Sequence, residues 1–163
     1  MRLVKAVLAS IDGSPVSRKV AWVARRLAER LGLQLILLHV VSEHIVSGVQ
    51  GIGRPSPGEV GPEPILALKD KSLNEELLAV HNIVSELVDS GARVKLLSLA
   101  GDPARVILEQ AEKLAAVIVM GYRGGVFMDP SGGRVIKKVI EKATVPVVVV
   151  SANLSQEALS DIL

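Results

Sequence analysis

Residues 116–125 read Ala-Val-Ile-Val-Met-Gly-Tyr-Arg-Gly-Gly, five apolar side chains in succession and then glycine. A run that barely alternates has no solvent-facing side. It suits a strand covered on both faces, the environment of a parallel sheet. Three further runs share the pattern: Val4–Ile11, Gln34–Val41 and Val145–Val150. Arg93–Leu99 is more mixed, as an outer strand would be.

Helical periods fill the intervals. Ser14-Pro15 reads as an N-cap with proline at the first helical position, after which Val16, Val20, Val23, Leu27 and Leu31 share a face and Gly32 ends the helix. Asp102-Pro103 repeats the start signal before Val106, Ile107, Ala111 and Leu114. Ile65–Ser90 carries Leu73, Leu77, Val80, Val84 and Leu87, with Gly91 as its stop, and Arg134–Lys142 sets Val135, Val139 and Ile140 together. The order β-α-β-α-β-α-β-α-β predicts an α/β fold. Its open, five-stranded, mostly parallel sheet carries helices on both faces, Rossmann-like and doubly wound. One domain is expected over residues 1–151, interrupted at 44–64 by a flexible loop or lid with five glycines and four prolines. Residues 152–163 form a tail with the pattern of a short amphipathic helix.

Composition narrows the function classes. The chain has 163 residues, 49% hydrophobic, no cysteine and a formal net charge of +2. A disulfide framework, a thiolate zinc site and a catalytic thiol are excluded together. Aromatic residues are only 2%, too few for a base-stacking platform, so no nucleic-acid partner is expected. The apolar runs fall far short of the roughly 18–20 residues a membrane-spanning helix needs. No signal-peptide core opens the sequence, and a cytoplasmic location without a membrane partner is expected.

In open α/β sheets ligands sit beyond the carboxyl ends of the strands, where the strand order reverses. The first strand ends in Asp12-Gly13-Ser14, the second in His39-Val40-Val41, and the fourth in the glycine-rich segment that leads to Gly133-Arg134. Backbone without Cβ atoms, followed by a helix N-terminus, lets amide groups close on phosphate oxygens, and Arg123 and Arg134 would add full charges. The same glycines also suit a loose loop. Asp12 suits a ribose hydroxyl or an adenine amine, and equally a turn or cap. His39, inside an apolar strand, reads as a satisfied core histidine. No Walker loop, dinucleotide glycine fingerprint or serine-hydrolase elbow is present.

The segments Val7-Leu8-Ala9-Ser10-Ile11-Asp12-Gly13-Ser14, Leu37-Leu38-His39-Val40-Val41, Gly101-Asp102-Pro103-Ala104, Val117-Ile118-Val119-Met120-Gly121 and Val145–Val150 occur in a shared order and spacing. Through them the chain resembles the universal stress protein family from Val4 to Val150. The resemblance implies the adenine-nucleotide α-hydrolase-like fold. It also implies a site in which Asp12 and the Val40 backbone hold the adenosine end and Met120 and Gly121 line its floor. Gly124, Gly133, Arg134 and Val135 would surround the phosphates. The implied cofactor is ATP, or ADP or AMP, with Mg or Mn.

Nucleotide-binding members are similar in carrying Gly-x-x-Gly, nine residues, then Gly-Ser or Gly-Thr. Here Gly121-x-x-Gly124 is followed by eight residues, Gly125 to Gly132, and then Gly133-Arg134. Three expectations follow. The first is a regulatory nucleotide-binding module for stress response, with little or no hydrolysis and no catalytic residue. The second is a non-binding dimeric interaction protein whose phosphate loop is altered, and the third a slow hydrolase on the same fold. The resemblance also implies a homodimer through the last strand, Val145–Val150; shielding of that edge by the tail is the alternative.

Overall fold

The structure, a computed structural model, describes residues 3–41, 71–123 and 132–162. The elements are β1 (Ala6–Ser10), α1 (Pro15–Leu31), β2 (Gln34–Val41), α2 (Lys71–Asp89), β3 (Val94–Ala100), α3 (Pro103–Leu114), β4 (Ala116–Tyr122), α4 (Gly132–Lys142), β5 (Val147–Ser151) and α5 (Gln156–Ile162). The five strands form one sheet in the order β3-β2-β1-β4-β5, and every pairing is parallel. The chain winds outward from β1 to β3, then returns to lay β4 on the other side of β1. The order therefore reverses between β1 and β4, whose carboxyl ends carry Asp12 and Arg123.

Alternation along each strand divides the core into two layers. Val7, Ala9, Leu35, Leu37 and Val119 face α1 and α2. Ala6, Leu8, Ile36, Leu38, Ile118 and Met120 face α3 and α4. Leu8, Ile36, Leu37, Leu38 and Ile118 are at most 1% exposed. Each contributes about 1.5–3 kcal/mol relative to an exposed position, so the unbroken apolar runs place most of their side chains in one or other layer.

Two helices depart from the periodic reading. In α1 the buried line runs through Val16, Val20, Ala21, Ala24 and Ala28, while Leu31 is 55% exposed. The alanines let the helix lie close to the sheet along their own line, and Leu31 falls past it. In α4 Val139 is buried but Ile140 is 55% exposed. The sheet ends at β5, so among the described elements nothing packs beyond this side of α4. Ile140, Tyr122, Ile136 and Val149 instead line an apolar depression of about 470 Å³.

Caps behave largely as the local chemistry dictates. The Asp102 carboxylate accepts from the Arg105 N–H, and Gly32 closes α1 in the left-handed conformation at φ 64°. β5 begins at Val147 because Pro146 has no N–H to donate; its carbonyl accepts from Ile118. The tail does form a helix, but it folds back over the groove between α1 and α2. There Leu159 is buried beside Trp22 and Ile83, and the outer edge of β5 lies elsewhere. The Gly/Pro segment 44–64 lies outside the described residues.

Candidate functional site

Asp12 follows β1 directly and is held in a turn that its own side chain builds. Its Oδ1 accepts from the Ser14 N–H at 2.9 Å and from the Ser17 hydroxyl at 3.0 Å, while Ser17 Oγ accepts from the Asp12 N–H at 3.1 Å. The turn needs Gly13. Its φ is +78°, and a Cβ there would lie 2.9 Å from the Glu76 carbonyl oxygen of α2. Ser14 has N-cap geometry for α1, yet its side chain makes no cap bond. The Ser17 N–H, the donor such a bond would take, goes to the Ser14 carbonyl at 2.9 Å instead.

Across the reversal point, Arg123 Nη2 donates to Asp12 Oδ2 at 2.6 Å. Both side chains are about half exposed, at 50% for Arg123 and 54% for Asp12. Burial of the carboxyl pushes its pKa up, but hydrogen bonding from Ser14 and the charge and hydrogen bond of Arg123 together outweigh it. The Asp12 pKa settles below its ordinary value. An ionised acceptor therefore stands at the mouth of the crevice.

Val40 lies at the carboxyl end of β2 with its side chain half-buried on the α3 face. Registered pairing of β2 with β1 stops at Ser10↔Leu38, and the Leu38 carbonyl accepts from Ile11. On the other side the Val41 carbonyl accepts from Gly101, beyond β3. Peptide groups alternate sides along a strand, so those of Val40 turn toward β1 just past the paired stretch. The backbone, not the isopropyl group, faces the crevice.

Met120 and Gly121 do different things from one another. The Met120 side chain is 5% exposed and packs in the layer beneath α3 and α4. Gly121 turns to the opposite face, where a Cβ would stand 2.7 Å from Val16 Cγ1. Packing of β4 on α1 is sufficient reason for that glycine. Gly133, Arg134 and Val135 lie in the first turn of α4. The N–H groups of Gly133 and Arg134 precede the first intrahelical hydrogen bond, and the turn contains no acidic residue. A Cβ on Gly133 would meet nothing within 4 Å, and Arg134 is exposed. A cation at a helix N-terminus opposes the macrodipole unless an anion sits there. Gly124 and the spacer as far as Ser131 lie outside the described residues.

His39 is fully buried on the α2 face and its Nε2 lies 2.7 Å from Glu76 Oε1, while Nδ1 has no hydrogen-bond partner among the described residues. The reading of a satisfied core histidine thus holds for one ring nitrogen only. Its partner Glu76 was not anticipated. Glu76 is also the residue whose carbonyl roofs Gly13, so one side of α2 is anchored over the Asp12 turn. Arg123 was expected to serve a phosphate, and its pairing with Asp12 has no signal in spacing.

This arrangement offers a carboxylate, paired with Arg123, and strand-end peptide groups in one place, and a helix terminus bearing Arg134 in another. The sequence model of the universal stress protein family matches residues 4–151. Universal stress protein YxiE of Bacillus subtilis is 31% identical over 88% of this chain and 97% of its own length. Universal stress protein MJ0577 of Methanocaldococcus jannaschii is 33% identical over 75% of this chain and 79% of its own. The solved structure of MJ0577 superposes with a TM-score of 0.66 at 28% identity, covering 94% of this chain and all of that one. The fold is shared, at lower identity, with a universal stress protein solved in complex with cAMP (TM-score 0.62, 18% identity, 90% of this chain and 96% of that one). It is shared too with one from Archaeoglobus fulgidus in complex with dAMP (TM-score 0.58, 23% identity, 90% and 98%).

Proposed function

Because the chain belongs to the universal stress protein family, we propose that the crevice between β1 and β4 binds an adenine nucleotide, ATP foremost, as a regulatory ligand. The observation that carries this reading is the placement of Asp12 and Arg123 opposite one another where the strand order reverses. Structures of relatives in complex with cAMP and dAMP support the ligand class. Asp12 and the Val40 peptide groups would hold the adenosine end. Gly121 and Met120 form the strand end beneath it. The N–H groups of Gly133 and Arg134 would receive the phosphates, with Gly124 and Val135 beside them.

Among the described residues no three His, Asp or Glu side chains cluster to hold a metal ion. Mg or Mn would therefore be carried on the phosphates, where it neutralises their charge. The described site contains positioning groups and no general base beside the phosphate end, which favours binding over turnover. Binding would then act by shifting shape or partner choice, in a cytoplasmic protein. No described helix is long and apolar enough to cross a membrane.

Calorimetric titration with ATP-Mg tests the reading. Saturable binding, weakened at least several-fold by Asp12→Asn, supports it. Absence of binding to ATP, ADP and AMP, with none carried through purification, would assign the chain to the non-binding branch, with the eight-residue spacer and Arg134 as the cause.

The chain would act as a homodimer. β5 is an edge strand, Val149 is 44% exposed, and the depression it shares with Tyr122 and Ile140 is apolar. A bare valine strand of this kind is protected when it pairs with its own copy across a two-fold axis. Sedimentation should give a dimer at micromolar concentration, converted to monomer by Val149→Lys. A wild-type monomer would refute pairing through β5.

A further inference from the structure

A carboxylate at a strand end can turn about its side-chain bonds, and a ligand that must first settle it binds less tightly. At Asp12 one hydroxyl does the settling. The Asp12 N–H donates to Ser17 Oγ at 3.1 Å, and the Ser17 hydroxyl donates back to Asp12 Oδ1 at 3.0 Å. Main chain and side chain of the same residue are tied to one atom, which fixes the rotamer between them.

The other bonds to the carboxylate lie in exposed surroundings: the Ser14 N–H on Oδ1 at 2.9 Å and Arg123 Nη2 on Oδ2 at 2.6 Å. Water competes there, so neither holds the carboxylate alone. Ser17 differs because it is only 2% exposed. Swinging the carboxylate away would strand a buried hydroxyl, the costly case for a hydrogen bond. Ser17 is itself held in place. Its N–H donates to the Ser14 carbonyl, and its neighbour Val16 packs on Gly121 at the end of β4. Oδ1 carries two donors and is full, whereas Oδ2 keeps one lone pair beside the Arg123 bond.

We propose that Ser17 is a positioning residue for the adenosine end. By holding Oδ1 it sets the Asp12 carboxylate in one orientation, with the remaining lone pair of Oδ2 open to a ligand hydroxyl or amine. The role rests on the nucleotide reading above, and the effect of Ser17 on affinity runs through Asp12 alone.

Three-bond couplings from the Asp12 backbone nitrogen and carbonyl carbon to its Cγ report this rotamer without any ligand. Wild type should give the values of a single rotamer, and Ser17→Ala those of an average over several. Ser17→Cys fills nearly the same space with a weak donor. It should average as well, which separates the hydrogen bonds from the space they occupy. Averaged couplings in wild type, or a single rotamer in both variants, would overturn the inference. Calorimetric titration with ATP-Mg reads the consequence. Ser17→Ala should weaken binding roughly 2–10-fold, the cost of ordering one side chain on binding, and should have no effect in an Asp12→Ala background. The same loss in both backgrounds would overturn the inference and leave the nucleotide reading standing. If Asp12→Ala does not bind at all, the couplings decide by themselves. If wild type binds none of ATP, ADP and AMP, the nucleotide reading fails and takes this inference with it.

Discussion

Val16 and Gly121 lie closer than any side chain at position 121 would permit, since a Cβ there would fall 2.7 Å from Val16 Cγ1 and 3.1 Å from Val20 Cγ2. The end of β4 and the first turns of α1 thus interlock immediately behind the Asp12–Arg123 crevice. Gly121→Ala should destabilise the protein by about 1–3 kcal/mol through overpacking. Val16→Ala opens the contacted space, so the same substitution should cost less in that background. Urea unfolding of both single variants and the double variant measures the coupling; strict additivity would show that Val16 is not the obstacle.

Gly133 provides the contrast. A Cβ on it would meet no protein atom within 4 Å, and alanine is the better helix former by up to about 1 kcal/mol. Gly133→Ala should therefore leave the thermal midpoint unchanged or raised. If phosphates close on this backbone, ATP affinity should nonetheless drop several-fold. A variant that binds ATP as tightly as wild type would remove Gly133 from the phosphate-binding set.

Glu76 holds the Nε2 side of the fully buried His39. Glu76→Ala should cost about 1–2 kcal/mol, the lower part of the range for stranding a buried polar group, because Glu76 is itself 28% exposed and water can replace it. Glu76→Gln keeps an oxygen acceptor and should cost less. Equal losses for the two variants, measured by denaturant unfolding, would show that the hydrogen bond is not what Glu76 contributes.

Acid should weaken the fold in part through Asp12. Its pKa in the folded protein is depressed below the ordinary value of 3.8, so the unfolded chain binds the proton more readily and stability rises with pH over that interval. The contribution is complete above 3.8 and disappears as pH falls through the folded-state value. Asp12→Asn should flatten the dependence of unfolding free energy on pH below about 4. Parallel curves for wild type and variant between pH 5 and 2 would refute the assignment.

The extent of β2 was readable to the residue, Gln34 to Val41, because Gly32 stops the preceding helix just ahead of an unbroken apolar run. β4 and β5 each extend past the reading, to Tyr122 and Ser151, because those two residues pair with one another and neither is apolar enough to announce it. Leu31 and Ile140 were misjudged for a related reason. Helical periodicity marks the apolar side of a helix, but whether a neighbour covers all of that side depends on where the sheet ends.

What the sequence determined by itself is whatever is settled within a few residues: strand and helix identity, the turn at Gly13, the caps at Asp102 and Gly32, and the glycine-rich approach to α4. These follow from side-chain periodicity and backbone preference, which act locally. The tertiary structure alone decided that Asp12 and Arg123, separated by 111 positions in the chain, would share a hydrogen bond. It also decided that Glu76 would roof Gly13 and that Gly121 would serve α1. Those relationships arise because the chain winds out from β1 and returns to set β4 beside it, bringing two strand ends within reach. Local chemistry names the groups, and the crossing of the chain gives them partners.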